Sequence, residues 1–160
     1  MIIAIQIICV LILISLGAFF SGSETGVYRL SRLKLRIGIE QKRRNYKLLG
    51  RLMEDTHGLV FTILIGNNLV NYLASSLVTL LLLKTALREN AELYVTAIMT
   101  PVLFVFSELV PKNMLYYRAN NIMPKLAPLL WFFNKLFTKS GAVWLFKQIS
   151  RPFASLFGTT

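Results

Sequence analysis

The sequence predicts an all-α integral membrane domain with three transmembrane helices and further amphipathic helices lying along the cytoplasmic face. Three observations lead there. Of 160 residues, 55% are hydrophobic and the mean hydropathy is +0.59, too apolar for an ordinary soluble domain. Long apolar stretches recur at about 2–22, 59–83 and 93–117, each long enough to cross a hydrocarbon core of roughly 30 Å at ~1.5 Å per residue. The net charge of +11 is unevenly spread: nine basic residues lie from Arg29 to Arg51 and seven from Lys112 to Arg151, while the connector from Lys84 to Glu92 balances Lys84 and Arg88 with Glu89 and Glu92. The positive-inside rule puts the first and last basic regions in the cytoplasm and the N-terminus and the 84–92 connector outside, an arrangement that three spans satisfy. A multi-pass protein of the cell membrane with a cytoplasmic C-terminus is the expectation.

The first span carries only Gln6 and Ser15 as polar residues before Phe20. No Lys or Arg precedes Arg29, whereas a signal peptide carries a positive region ahead of a shorter apolar core, so a membrane helix is the better reading. At Ser21-Gly22-Ser23 a glycine and two serines weaken helical preference, and a break that frees carbonyl oxygens is expected there. Leu30, Leu33 and Ile37 then recur at helical spacing among Arg29, Arg32, Lys34 and Arg36, predicting a basic amphipathic juxtamembrane helix over about 29–54, closed by a turn near Asp55 and Gly58. Within the second span Asn67, Asn71, Ser75 and Thr79 follow at steps of four and share one helix face, with Asn68 beside them. The third span contains Pro101 and Pro111, and Pro111 is expected to loosen the backbone around Ser107 and Glu108. The rest, about 122–158, has an apolar run of eight residues interrupted by Pro128, with Trp131, Trp144 and several lysines. That is too short to span and predicts one or two interfacial helices on the inner leaflet.

Each span is thus interrupted by hard oxygen ligands: Ser21 to Thr25, Asn67 to Ser76, and Ser107-Glu108. Polar groups are expensive in hydrocarbon, so they usually line an ion site or buried path. Glu108 is either a cation ligand or the structural partner of Lys112, four residues on. Hydroxyls, amide oxygens and one carboxylate suit a hard cation such as magnesium and hold it weakly enough for release. For any single Asn or Ser, interhelical hydrogen bonding is the simpler account, at ~0.6 kcal/mol per contact; for the clusters together it is not. Cys9 is the lone cysteine and His57 the lone histidine, so neither a disulfide framework nor a thiolate or imidazole metal site is available. No phosphate loop, nucleophile elbow or His-Glu-x-x-His pattern occurs, and no enzyme activity is expected. The basic segment beside a membrane span meets anionic lipid at the inner leaflet rather than nucleic acid.

Phe20-Ser21-Gly22-Ser23-Glu24-Thr25, then Thr62 to Asn71 with Ala74-Ser75, then Ser107-Glu108-Leu109-Val110-Pro111-Lys112 resemble the transmembrane domain, called DUF21, of the CNNM/CorC magnesium transporters. The resemblance covers nearly the whole chain, 1–160. It implies a homodimer with three membrane helices per subunit, a juxtamembrane helical belt, and an inward-facing cavity binding a dehydrated magnesium ion, exported against sodium entry. The ion ligands carried over are Ser21, Ser23, Asn68, Asn71, Ser75 and Glu108, with Lys112 closing the third motif. Two departures stand out. Glycine is commoner in the family where this chain has Ser107, and family members usually continue into nucleotide-binding CBS modules, of which 1–160 contains none, as in an excised membrane domain or a minimal relative. Three functions share these residues: a carrier, a magnesium-sensing scaffold regulating another transporter, and a structural anchor for a cytoplasmic module.

Overall fold

Helix α1 (Ile2–Arg29) has 28 residues, ~42 Å at 1.5 Å per residue, and so outlasts the ~30 Å apolar core. In the computed structural model, which describes residues 2–82, 93, 97, 100–141, 143–145 and 148, α1 is followed by the short helices α2 (Arg32–Glu40) and α3 (Arg44–Glu54) and then the long α4 (Thr56–Leu82). A single turn α5 (Thr100–Val102), a π-helical segment (Leu103–Leu109) and α6 (Val110–Lys139) complete the order. All the described elements are helical. Two of them, α1 over Ala4–Arg29 and α4 over Thr56–Leu81, are long and apolar enough to cross a bilayer. The third expected span, 93–117, is only partly within the described residues; from Thr100 it runs helically to a kink at Arg118, where φ −120° and ψ 19° leave the helical region.

The expected break at Ser21-Gly22-Ser23 does not occur: α1 continues through it to Arg29. Close packing is the reason. A Cβ on Gly22 would stand 3.2 Å from Leu115 Cδ2 and 3.3 Å from Pro111 Cβ, so the glycine serves helix contact rather than chain bending. The expected 29–54 helix is also divided, into α2 and α3, because Gln41–Arg43 turns the chain with Lys42 at φ 55°. Its apolar residues split as well. Leu35 and Gly38 are buried with Gly38 against Tyr46, while Leu33 and Ile37 remain exposed. The turn near Asp55 and Gly58 is present: the Gly58 N–H donates to Asp55 Oδ1 at 3.0 Å, capping the start of α4.

Contacts along α1 define the topology. Gly17 meets Asn71 and Gly66 meets Phe20, so α4 runs antiparallel to α1. Gly17 meets Ser107 and Gly22 meets Pro111, so the π segment and the start of α6 run parallel to it. After the Arg118 kink, α6 crosses back over the same half of the bundle. Asn120 Oδ1 accepts from the Ser31 N–H at 2.8 Å, Met123 lies on Gly26, and the Phe133 ring reaches Phe20 at 4.8 Å between centroids. The Thr62 hydroxyl of α4 donates to Asn134 Oδ1 at 2.8 Å. This corrects the picture of a tail lying only on the leaflet: Ala119, Met123, Ala127 and Leu130, at steps of four and three, are buried among α1, α3 and α4. The opposite face keeps Trp131 and Phe132 exposed.

One close helix contact places the Phe20 ring over Gly66, where an added Cβ would lie 2.5 Å from Phe20 Cε1. Phe19 and Phe133 pack on that ring at 5.0 and 4.8 Å, so it cannot simply swing aside. Gly66→Ala gains ~1 kcal/mol of helix propensity but incurs ~1–3 kcal/mol of overpacking. A net loss of ~1 kcal/mol is expected, read as a lower thermal midpoint in detergent by circular dichroism; an unchanged or raised midpoint would contradict this packing.

Candidate cation site

Where α1, α4 and the π segment meet, each contributes small or oxygen-bearing residues. Pro111 has no N–H to return to the Ser107 carbonyl one turn earlier, and the preceding segment adopts the wider π register, with the Val110 N–H bonded to the Val105 carbonyl five residues back. This realises the expected loosening around Ser107 and Glu108. Ser107 is fully buried, and its hydroxyl donates to Asn71 Oδ1 at 3.2 Å. Gly17 makes room for that pair: a Cβ there would collide with Ser107 Oγ and stand 3.2 Å from Asn71 Oδ1. A serine in the third motif is therefore accommodated by a glycine on α1.

One turn along from this pair lie oxygens left unsatisfied among the described residues. Ser21 Oγ, Ser23 Oγ and Asn67 Oδ1 are buried without a hydrogen-bond partner, and both serines are wholly inaccessible. Such orphaned groups are uncommon and call for an ion, a water or a rearrangement. Starting from the contact of Gly17 with Asn71, the antiparallel register brings Ser21 to the level of Asn67 one turn further along. Hydroxyl and amide oxygens on adjacent helices at one level form a donor set for a hard cation. Among the described residues no group of three or more His, Cys, Asp or Glu occurs, so any ion held here would meet mainly neutral oxygens.

The residues expected at the site are not all brought together. Asn71 meets Ser107 and Gly17 directly, and Ser21 and Ser23 sit on the buried stretch of α1. Glu108 is half-buried beside Ser107 and has no ion-pair partner among the described residues. Ser75 is half-buried one turn beyond Asn71, its carbonyl accepting from the Thr79 hydroxyl at 2.9 Å. Asn68 is exposed and its amide donates to the Leu64 carbonyl of its own helix at 2.9 Å, away from this cluster. Asn67, by contrast, carries one of the orphaned oxygens. The step-of-four stripe Asn67, Asn71, Ser75 already contained the signal that favours it over its neighbour.

Lys112 does not turn back to Glu108. Its ammonium lies 3.4 Å from Glu24 Oε2, tying the start of α6 to α1 at the mouth of the cluster. Both side chains are partly exposed, at 41% and 27%, so the pair contributes less than a buried one and is separable by solvent. Glu24 is thus paired with Lys112, and Glu108, next to Ser107 in the chain, is a half-buried carboxylate with no such partner among the described residues.

The family profile described as the cyclin M transmembrane N-terminal domain matches residues 7–159. A UPF0053 protein of Haemophilus influenzae is 37% identical over 145 residues, covering 83% of this chain and 34% of its own length. The UPF0053 inner membrane protein YfjD of Escherichia coli is 36% identical over 133 residues, covering 76% of this chain and 31% of its own. A chloroplastic DUF21 domain-containing protein of Arabidopsis thaliana is 32% identical over 114 residues, covering 69% and 17%. The chain therefore spans about a third or less of the length of these curated relatives.

Ser107→Ala removes a hydrogen bond and leaves the Asn71 amide oxygen facing Gly17 without its donor. Such a change costs ~1–2 kcal/mol. A lowered thermal midpoint is expected for Ser107→Ala and not for that change made on top of Asn71→Ala; equal losses in both backgrounds would show that the two side chains are not coupled.

Proposed function

Because this chain belongs to the cyclin M (CNNM) transmembrane domain family, we propose that it is the ion-carrying membrane unit of a magnesium transporter. The observation that carries this is the set of buried oxygens without a partner among the described residues, Ser21 Oγ, Ser23 Oγ and Asn67 Oδ1, on the two helices that meet where Gly17 contacts Asn71. Helices held together only by packing have no reason to keep three such atoms dry, whereas a magnesium ion takes six oxygens and benefits from each.

The proposed ligands are Ser21, Ser23, Asn71 and Glu108, with Asn67 replacing Asn68, and Ser75 closing the far end of the stripe. Magnesium is the cargo. It would lose most of its water on entry, with neutral oxygens and the Glu108 carboxylate replacing the shell. A single carboxylate balances only half of the ion's charge, which favours release over permanent retention. The Glu24–Lys112 pair sets an ammonium beside Glu24, where it keeps a second carboxylate from adding fully to the site's charge. When Ser107 donates to Asn71 Oδ1, that oxygen is committed to the protein; ion binding would require the hydroxyl to rotate and the amide oxygen to turn to the cation.

The proposed assembly is a homodimer with its N-terminus outside and C-terminus in the cytoplasm, exporting magnesium with sodium entry as the driving reaction. In longer relatives this unit would answer to cytoplasmic modules. The test is magnesium flux into liposomes containing the purified chain, with binding followed by calorimetry. Outer-shell changes alone cost metal sites ~10–100-fold, so Ser21→Ala, Asn71→Ala and Glu108→Ala should each lower binding and flux by at least ~10-fold. Asn68→Ala should leave both near wild type. Binding without flux in the wild-type chain would favour a sensor instead, and neither binding nor flux would leave only an anchor.

A further inference from the structure

Between them, α3 and the returning half of α6 enclose a groove of about 820 Å³ whose lining includes Lys42, Arg44, Lys47 and Arg51 together with Trp131 and Phe132. Arg44, Lys47, Leu48 and Arg51 follow one another at helical spacing, so α3 turns a single stripe of three cations and one leucine into the groove, while Leu49, Leu52 and Met53 are buried on its other side. Lys42 joins from the turn before α3, where it adopts a left-handed backbone that favours glycine. Among the described residues no carboxylate lines the groove and none of these four cations makes an ion pair. The opposite wall is apolar and aromatic: Pro128, Trp131 and Phe132, with Phe132 55% exposed and Leu129 and Leu136 continuing the same outward surface.

We propose that this groove binds an anionic glycerophospholipid of the adjoining leaflet, its headgroup phosphate held by Lys42, Arg44, Lys47 and Arg51 and an acyl chain lying along Trp131 and Phe132. The inference requires only that α1 and α4 cross the bilayer, and it is independent of the ion that the helices carry. α3 ends two residues before α4 begins, so Arg51 lies about one and a half helical turns from a membrane span and anchors that end of the stripe at headgroup depth. Unpaired cations at that depth call for a phosphate. The apolar wall distinguishes the ligand further: a free phosphate or a sugar phosphate would leave Trp131 and Phe132 against water, whereas a lipid covers both walls at once. Tryptophan at such a boundary, with Lys135 5.0 Å above its ring, matches the amphipathic character of the interface. A lipid seated there would clamp α3 to α6, and through Asn134 and Thr62 would bear on α4.

The sequence has two tryptophans, so Trp144→Phe leaves Trp131 as the sole reporter. In bilayers of mixed composition, brominated phosphatidylglycerol should quench Trp131 fluorescence more strongly than brominated phosphatidylcholine at the same mole fraction. Each of Arg44→Gln, Lys47→Gln and Arg51→Gln should lower that preference about fivefold, the equivalent of a single juxtamembrane cation. Arg32→Gln, an exposed cation on α2 outside the groove, should leave it intact, and the substituted chains should keep the wild-type helical spectrum because the altered side chains are exposed. Equal quenching by the two lipids would overturn the proposal, as would an Arg32→Gln effect as large as the others, which would mean a diffuse basic surface. Complete relief of quenching by soluble glycerol phosphate would assign the groove to a free phosphate and reject the lipid.

Discussion

Everything else in this structure follows from how closely α1 approaches its two neighbours. In hydrocarbon, helices gain little from burying apolar surface against each other, because lipid tails are equally apolar; van der Waals packing and hydrogen bonds must hold them together. α1 meets that constraint with small residues on the contact face, Gly17, Ser21, Gly22 and Ser23, all buried. Gly17 accepts Ser107 and Asn71, while Gly22 accepts Pro111 and Leu115. The same choice brings hydroxyl oxygens into the interior of the bundle, where Ser21 and Ser23 have no partner among the described residues.

The π segment is the second half of that arrangement. A regular α-helix would return each carbonyl to a donor four residues ahead, and Pro111 withholds one such donor. Widening the turn over Leu103–Leu109 changes which side chains face α1 and sets Ser107 against Gly17. Polar packing and proline therefore act together. The Glu24–Lys112 pair, partly exposed at the mouth, then separates the charge balance of the cluster's rim from that of its interior.

At the end of the bundle that carries them, the basic segments are not simply loops that obey a topology rule. α2 and α3 fold as two short helices around the Lys42 turn, and α6 crosses back over α1 and α3 with Met123, Ala127 and Leu130 buried. Asn120 and Asn134 pin that return to Ser31 and Thr62. Cations and aromatic residues from distant parts of the chain thereby come to line one groove.

The helical class, the apolar first and second spans, the turn at Asp55 and the disturbance before Pro111 were legible in the sequence, because each depends on local composition, spacing or a missing N–H. So was the polar stripe of α4, whose step of four identifies a face without saying what that face meets. Three things were decided only by tertiary structure. Ser21-Gly22-Ser23 reads locally as a helix break, yet neighbouring helices pressed on Gly22 keep α1 continuous, since contact energy outweighs weak propensity. Asn67 and Asn68 are adjacent in sequence and differ by about 100° around the helix, so only the position of α1 decides which one is buried. Lys112 could reach Glu108 along its own helix, but the parallel approach of α1 offers Glu24 instead. Periodicity identifies the face a residue occupies; the partner across that face belongs to another part of the chain, and only folding brings it there.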